Sequence, residues 1–184
     1  MAKLELLHLH QRRIANIAIS ASSFRNQGKP KTIQATRQLL YSIDIKKFRS
    51  SLAEKKYDLY LDKQTNYFLK KLSPKYGVKW GTIRKGLNIF FRDLFYSSYI
   101  FEHLKLKEAY AAQLEIPLDS LTGIGILDLA GRENVLKMKW ASIKNLTREQ
   151  SDYLQSLANL VSVRKFGLKY KVDLDLVLWK KNEL

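Results

Sequence analysis

Residues 81–104 read GTIRKGLNIFFRDLFYSSYIFEHL, and this stretch decides the fold class. From Leu87 onward its apolar side chains recur at spacings of three and four residues, which is the spacing of one face of an α-helix. We therefore predict a long helix that begins near Gly81. The same spacing recurs in four other stretches, residues 4–24, 33–41, 67–72 and 153–163. The pattern predicts an all-α fold.

Glycine and proline mark where the predicted helices end. They interrupt the helical pattern at residues 28–30, 73–77, 116–117, 131 and 167. The chain has only 3 prolines and 8 glycines, so the connections between helices should be short. With 184 residues the chain can bury one core of ordinary size, and we expect a single compact helical domain over residues 1–184.

Two aspartates mark further helix starts. Asp44 and Asp62 can each accept hydrogen bonds from the free backbone N–H groups of a first turn. A helix from Asp62, a turn over residues 73–80 and the helix near Gly81 then form a helical hairpin. Such a hairpin can present backbone amides and cations to a DNA phosphate, although a plain helical corner would explain the same turn. The candidate DNA-binding residues of this hairpin are Lys75, Gly77, Lys79, Gly81 and Arg84.

The charge of the chain points to a polyanionic partner. There are 33 Lys and Arg residues against 17 Asp and Glu, which gives a formal net charge of +16. Cations that contact phosphates release condensed counterions, so a strongly basic protein favours nucleic acid. An anionic membrane surface is the second candidate partner. The basic residues are spread over the whole chain, which indicates that the charge belongs to the folded surface.

Several classes of site and location can be set aside from the composition. The chain has no cysteine, which excludes disulfides, thiolate zinc sites and iron–sulfur clusters. Its 3 histidines are too few and too separated for a metal site, so we expect neither a metal nor a cofactor. No stretch approaches the roughly 18 apolar residues of a membrane-spanning helix, and residues 1–11 do not resemble a signal peptide. We expect a cytoplasmic protein.

Two lysines near the hairpin are candidate nucleophiles. A lysine amine that is partly buried among other cations loses its proton more readily and can attack an electrophilic carbon. Lys79 and Lys85 are the candidates, and an ordinary surface position is the alternative for each. Further along, Pro117 stiffens the approach to Asp119, which can cap a helix that follows it. A capping role alone would also explain this aspartate.

The segment VDLDLVLW, residues 172–179, could recognise a base. In a helix, Asp175 and Trp179 lie four residues apart and share a face, which joins a carboxylate acceptor to a large stacking surface. Such a pair suits a purine that has been flipped out of the duplex. In a strand, Asp173 and Asp175 would share one face instead. The sequence leaves both readings open.

With these motifs in view, residues 62–181 resemble the helix-hairpin-helix DNA glycosylases, and most closely the archaeal type of 8-oxoguanine DNA glycosylase. IPLD, residues 116–119, looks like the Pro-apolar-Asp segment of the family. LDLVLW, residues 174–179, is similar to the Leu-Asp-x-Leu-Leu-Trp run of the archaeal type. Lys85 and Asn88 match the Lys-x-x-Asn start of the second hairpin helix. Residues 1–60 match no motif that we recognise.

The resemblance implies a DNA-repair enzyme of base excision that acts on double-stranded DNA, as a monomer, without a cofactor. Lys85 would be the nucleophile that forms an imine with the sugar, which gives both glycosylase and AP-lyase activity. Asp119 would stabilise the cationic sugar, and Asp175 and Trp179 would bind an oxidised purine such as 8-oxoguanine. Lys79 is the alternative nucleophile, because residues 76–81 read YGVKWG where the family has Leu-Pro-Gly-Val-Gly.

Two other functions compete with this one. The first is a basic helical module that binds DNA without catalysis, for which Lys85 and Asp119 would be dispensable. The second is a peripheral membrane or protein-interaction domain that uses basic amphipathic helices such as residues 4–24. Surface lysine changes that weaken DNA binding would support the first, and binding to anionic vesicles that resists competition by DNA would support the second.

Overall fold

The structure is a computed structural model that describes residues 2–131 and 138–180, with side chains from residue 5 onward. Parts of the predicted base-excision region, residues 132–137 and 181, lie outside these ranges. The α-helices of the described ranges are α1 (Ala2–Ala18), α2 (Thr32–Tyr41), α3 (Ile45–Ala53), α4 (Tyr57–Tyr76), α5 (Trp80–Tyr96), α6 (Ser98–His103), α7 (Ser120–Ala130), α8 (Arg148–Phe166) and α9 (Leu174–Lys180). Short 3₁₀ helices span Glu108–Gln113, Ile143–Asn145 and Lys171–Asp173. The described chain contains no strand, and the prediction of an all-α fold is confirmed.

Two of the predicted helices are shorter than the apolar spacing suggested. The stretch over residues 81–104 is divided into α5 and α6, because Ser97 has an extended backbone with a φ of −73° and a ψ of 111°. The stretch over residues 4–24 is helical only as far as Ala18. Beyond it, the Ser23 hydroxyl donates to the Ala18 carbonyl at 2.7 Å and so closes the end of α1. The apolar spacing continues past both ends because Phe24 and Ile100, which follow the two breaks, are also buried.

The start of α3 follows the prediction, whereas the start of α4 does not. The Asp44 carboxylate accepts from the backbone N–H groups of Lys46 and Lys47, which confirms it as a cap. Asp62 is not a helix start, because α4 already begins at Tyr57 and the Asp62 carboxylate is used by arginine side chains. The predicted break over residues 73–77 also moves, since α4 passes through Pro74 to Tyr76 and Gly77 caps its end.

Two clusters of buried apolar side chains stabilise the fold. The first is built mainly from helices α1 to α6. The second joins Ile116 and Leu118 to side chains of α7, α8 and α9. Helix α5 belongs to the first cluster, and Trp80 at its start packs against the second. Helix α5 therefore contacts both clusters.

None of the helices in the described ranges is both long enough and apolar enough to cross a membrane.

Candidate active site

A cavity of about 250 Å³ lies between α1, α5, α9 and the segment that leads into α7. It is small beside the roughly 300–1,000 Å³ of pockets for drug-sized ligands, and it suits a single base better than a whole nucleotide. The cavity is lined by Ile17, Ala18, Ser20, Ser22, Ser23, Lys85, Ile89, Arg92, Asp93, Pro117, Asp119, Asp175 and Trp179. All four residues predicted for catalysis and base binding are therefore in one cavity.

Lys85 reaches this cavity from the middle of α5. Its Nζ lies 3.3 Å from Oδ2 of Asp119 and donates to the Ser23 carbonyl oxygen at 3.4 Å. The side chain is 14% exposed, so the amine is partly shielded but still accessible from the cavity. Gly86, the next residue, allows this arrangement, because a Cβ there would stand 2.8 Å from the Phe24 ring and 2.9 Å from Ile19. The turn that carries Ser23 can thus approach α5 closely.

The two carboxylate oxygens of Asp119 make different contacts. Oδ1 accepts from the backbone N–H of Thr122 at 3.0 Å, so the residue caps α7 as the sequence predicted. Oδ2 faces the amine of Lys85. The cap fixes the carboxylate in place, because Oδ1 is held by the first turn of a helix. The arrangement gives the Lys85 amine a carboxylate partner that is fixed in position.

Asp175 lies in the first turn of α9, so the helical reading of residues 172–179 is confirmed and the strand reading is wrong. Its Oδ1 accepts from the Thr122 hydroxyl at 3.1 Å, and its Oδ2 forms an ion pair with Nη1 of Arg92. Burial raises the pKa of the Asp175 carboxyl, and the adjacent Arg92 guanidinium acts in the opposite direction. Asp175 is 5% exposed, which makes it the most enclosed of the four residues predicted for catalysis and base binding.

Trp179 follows Asp175 by one helical turn and lines the same cavity. Its side chain is 51% exposed, so much of the indole is left uncovered by the protein. An uncovered indole beside a buried carboxylate offers a stacking surface next to a hydrogen-bond acceptor. This is the pair that the helical spacing predicted.

The two candidate nucleophiles lie in different environments. Lys79 precedes the first residue of α5, is exposed and is not among the residues that line the cavity. Lys85 is six residues further along, which corresponds to roughly 9 Å of helical rise. The geometry therefore favours Lys85 as the lysine that has a carboxylate and a cavity beside it.

The predicted DNA-binding residues divide into two groups. Lys75, Gly77 and Lys79 are exposed at the turn between α4 and α5, and Gly77 has the positive φ of 68° that favours glycine. The inclusion of Gly81 needs correction, because it is buried and a Cβ there would stand 2.2 Å from the Ile143 carbonyl oxygen. Helices α4 and α5 are joined by residues 77–79 and pack against each other, and their assignment as a DNA-binding hairpin stays a prediction.

Arg84 also needs correction as a DNA-binding residue, since only 3% of its side chain is exposed. Its Nε and Nη2 donate to the two carboxylate oxygens of Glu115 at 2.9 and 2.5 Å, and its Nη1 donates to Asp62 at 2.9 Å. Asp62 in turn pairs with Arg148. The guanidinium thus joins α5 to α4 and to the segment before Pro117. Its donors are directed at the carboxylates of Glu115 and Asp62 and not at the surface where a phosphate would bind.

Sequence reasoning missed Ser23, Arg92 and Asp93, which line the cavity, and Thr122, which donates to Asp175. A signal for Arg92 exists in the helical period, because Lys85, Ile89 and Arg92 are spaced by four and three residues and all line the cavity. Nε of Arg92 also donates to Asp93 at 2.9 Å, and burial raises the pKa of that carboxyl. Ser23 gave no local signal, because its contribution is a backbone carbonyl.

The histidines lie away from this cavity. The His10 ring stacks on Tyr99 with a centroid distance of 4.3 Å, and Tyr99 stacks on His103 at 5.9 Å. Within residues 2–131 and 138–180, no three His, Asp or Glu side chains are grouped as they would be around a metal ion.

A scan against protein-family models, a search of curated proteins and a search of solved structures each found no match for this chain.

Proposed function

We propose that this protein is a DNA-repair glycosylase with AP-lyase activity, which excises an oxidised purine such as 8-oxoguanine from double-stranded DNA. The observation that carries the proposal is the Lys85–Asp119 pair, with Nζ and Oδ2 3.3 Å apart, in a cavity that also holds Asp175 and Trp179. These four residues come from three separate stretches of the chain, and each has the chemistry that its step requires. The enzyme would act as a monomer in the cytoplasm, and at the nucleoid if the cell is bacterial or archaeal.

The reaction begins when the damaged nucleotide leaves the duplex and its base enters the cavity. Asp119 takes a proton from Lys85, because Oδ2 is the carboxylate oxygen that faces the amine. The amine then attacks C1′ of the sugar while the bond between C1′ and the base breaks. The base leaves with the electron pair of that bond and takes the proton that Asp119 had accepted. Asp119 is then negatively charged again and stabilises the cationic sugar adduct in which Nζ is bonded to C1′.

Next, Nζ loses a proton, the bond between C1′ and the ring oxygen breaks, and the oxygen takes up both the electron pair and a proton. The covalent product is an imine between Nζ of Lys85 and C1′ of the opened sugar. Loss of a proton from C2′ then allows the bond between C3′ and its phosphate oxygen to break, and the phosphate leaves with the electron pair. Water hydrolyses the imine and releases the lysine. The exposed cations at the turn between α4 and α5 support the step before chemistry, because phosphate contacts offset the few kcal/mol that flipping a base costs.

Borohydride trapping tests this proposal directly. Borohydride reduces an imine to a stable amine, so a working enzyme becomes covalently joined to a duplex that contains one 8-oxoguanine. We expect adducts with the unaltered protein and with Lys79→Gln, and none with Lys85→Gln. Lys79→Gln is the matched control, because it removes the same charge from an exposed position outside the cavity.

The other results would each change the conclusion. An adduct lost only in Lys79→Gln would move the nucleophile to that residue. If the unaltered protein forms no adduct and releases no base, while it still binds duplex DNA, the chain is a basic DNA-binding module without this chemistry.

A further inference from the structure

A donor and an acceptor stand side by side in the candidate cavity. Nη1 of Arg92 pairs with Oδ2 of Asp175, while Nε and Nη2 of Arg92 each lie 2.9 Å from Oδ1 of Asp93. A guanidinium carries five N–H groups, so these contacts leave one N–H on each Nη that has no partner among the described residues. Each oxygen of Asp175 can accept more than one hydrogen bond, so the carboxylate also has capacity for a ligand.

We propose that Arg92 and Asp175 together read a base by its lactam edge, a ring carbonyl next to a ring N–H. Arg92 donates to the carbonyl oxygen, and Asp175 accepts from the neighbouring N–H. The inference rests on the proposed function, since a base must first enter the cavity. It adds Arg92 as a residue that determines specificity, and it defines the substrate class as lactam bases, which include hypoxanthine and the oxidised purine 8-oxoguanine.

The arrangement of one hydrogen-bond donor beside one acceptor makes this site selective for a lactam base over adenine. Adenine has nearly the shape of hypoxanthine, but at the same edge it carries an amino group and an unprotonated ring nitrogen. Its amino group would face the donors of Arg92, and its ring nitrogen would face the carboxylate of Asp175. Adenine would therefore make neither hydrogen bond, because a donor would face a donor and an acceptor would face an acceptor. Buried polar groups without partners cost binding free energy.

The surroundings hold this pair in place. Thr122 donates to Oδ1 of Asp175 from α7, and Asp93 holds the other edge of the Arg92 guanidinium. The Arg92 side chain is 18% exposed and that of Asp175 is 6% exposed, so both are shielded enough for a mismatch to matter. Trp179, one turn after Asp175, offers its uncovered indole to the flat face of the base.

The test compares two nearly isosteric bases in a protein that cannot react. Lys85→Gln is the parent variant, and its affinity is measured by fluorescence anisotropy for two duplexes that differ only in hypoxanthine or adenine at one position. The base stands opposite an abasic analogue, so that no pairing has to be broken. A single salt concentration keeps the phosphate contribution the same in both duplexes. We expect hypoxanthine to bind more tightly by on the order of 10-fold, as for one well-placed pair of hydrogen bonds.

Variants then assign the preference to the pair. In the parent background, Asp175→Asn should bring the hypoxanthine-to-adenine ratio to about 1 or below, because an asparagine amide can pair with an adenine edge. Arg92→Gln should also reduce the ratio. If Arg92→Gln does not fold, Asp175→Asn still decides, because it has nearly the same shape as the original side chain. Asp173→Asn is the matched control, since Asp173 contacts Tyr96 and lies outside the cavity lining.

The outcomes separate this inference from the proposed reaction. Equal affinity for both bases in the parent variant would overturn it, and so would a preference that Asp175→Asn leaves unchanged. A preference that depends on Asp175, combined with failure of borohydride trapping, would leave the lactam reading standing without the lysine chemistry. Successful trapping of 8-oxoguanine without that preference would retain the enzyme and remove the role of Arg92.

Discussion

Arg84 and Lys85 are consecutive residues of α5, and each is paired with a different carboxylate of the segment that leads into α7. Arg84 is 3% exposed and is bound by Glu115 and Asp62, whereas Lys85 is 14% exposed and faces Asp119 across the cavity. Successive side chains on a helix point roughly 100° apart, so one helix can serve two environments. The guanidinium, which keeps its proton, is used to join helices. The amine, which can lose its proton, lies where chemistry is possible.

The largest expected effect comes from breaking the Arg84 network. Arg84→Met should lower the free energy of unfolding by about 3–5 kcal/mol, because it leaves the Glu115 carboxylate buried without its cation. Glu115→Leu should have a similar effect, since it strands the guanidinium. Urea unfolding measures both, and the paired change should cost less than the two single changes together.

Lys85→Gln should affect stability much less than Arg84→Met does. Its ion pair is only partly buried, so its loss should change the free energy of unfolding by no more than about 1 kcal/mol. A loss as large as that of Arg84→Met would contradict the division of tasks between the two residues.

A smaller effect on stability is expected at Asp119, where two substitutions should separate its role as a helix cap from its role beside Lys85. Asparagine caps helices about as well as aspartate, so Asp119→Asn should keep the stability and lose borohydride trapping. Asp119→Ala should lose trapping and also about 1 kcal/mol of stability, because Thr122 loses its capping partner. Thermal unfolding and trapping on the same samples check this. Equal stability of the two variants would show that the cap contributes nothing.

The fold class could be predicted because its signal is local. Apolar spacing and the cap at Asp44 depend on neighbouring residues, and both agree with the structure. The ends of helices were harder to predict, since Ser97 separates α5 from α6 although apolar residues continue on both sides. Asp62 has the residue type of a cap, and only its distant partner Arg84 shows why it lies inside α4.

The candidate site was predictable where spacing within one element decides. Asp175 and Trp179 need only a helix to share a face, and Asp119 needs only the helix that follows it. Arg84 was misassigned because its side chain is basic, while its spacing from Leu87 and Phe91 already indicates the buried face of α5. Its partner Glu115 is 31 residues away, and nothing local in the sequence reveals such a contact.

The smallest expected effect concerns the exposed part of the hairpin, which remains the predicted DNA contact after Arg84 and Gly81 are removed. The logarithm of affinity falls with the logarithm of salt by about 0.9 for each phosphate contact, so Lys75→Gln with Lys79→Gln should make this slope shallower by about 2. Titration of an undamaged duplex at several salt concentrations measures it. The control pair is Lys55→Gln with Lys56→Gln, which removes two exposed charges at the opposite end of α4, roughly 30 Å away. If the control pair changes the slope as much as the hairpin pair does, DNA is held by the dispersed charge of the surface, and the hairpin has no special part in binding.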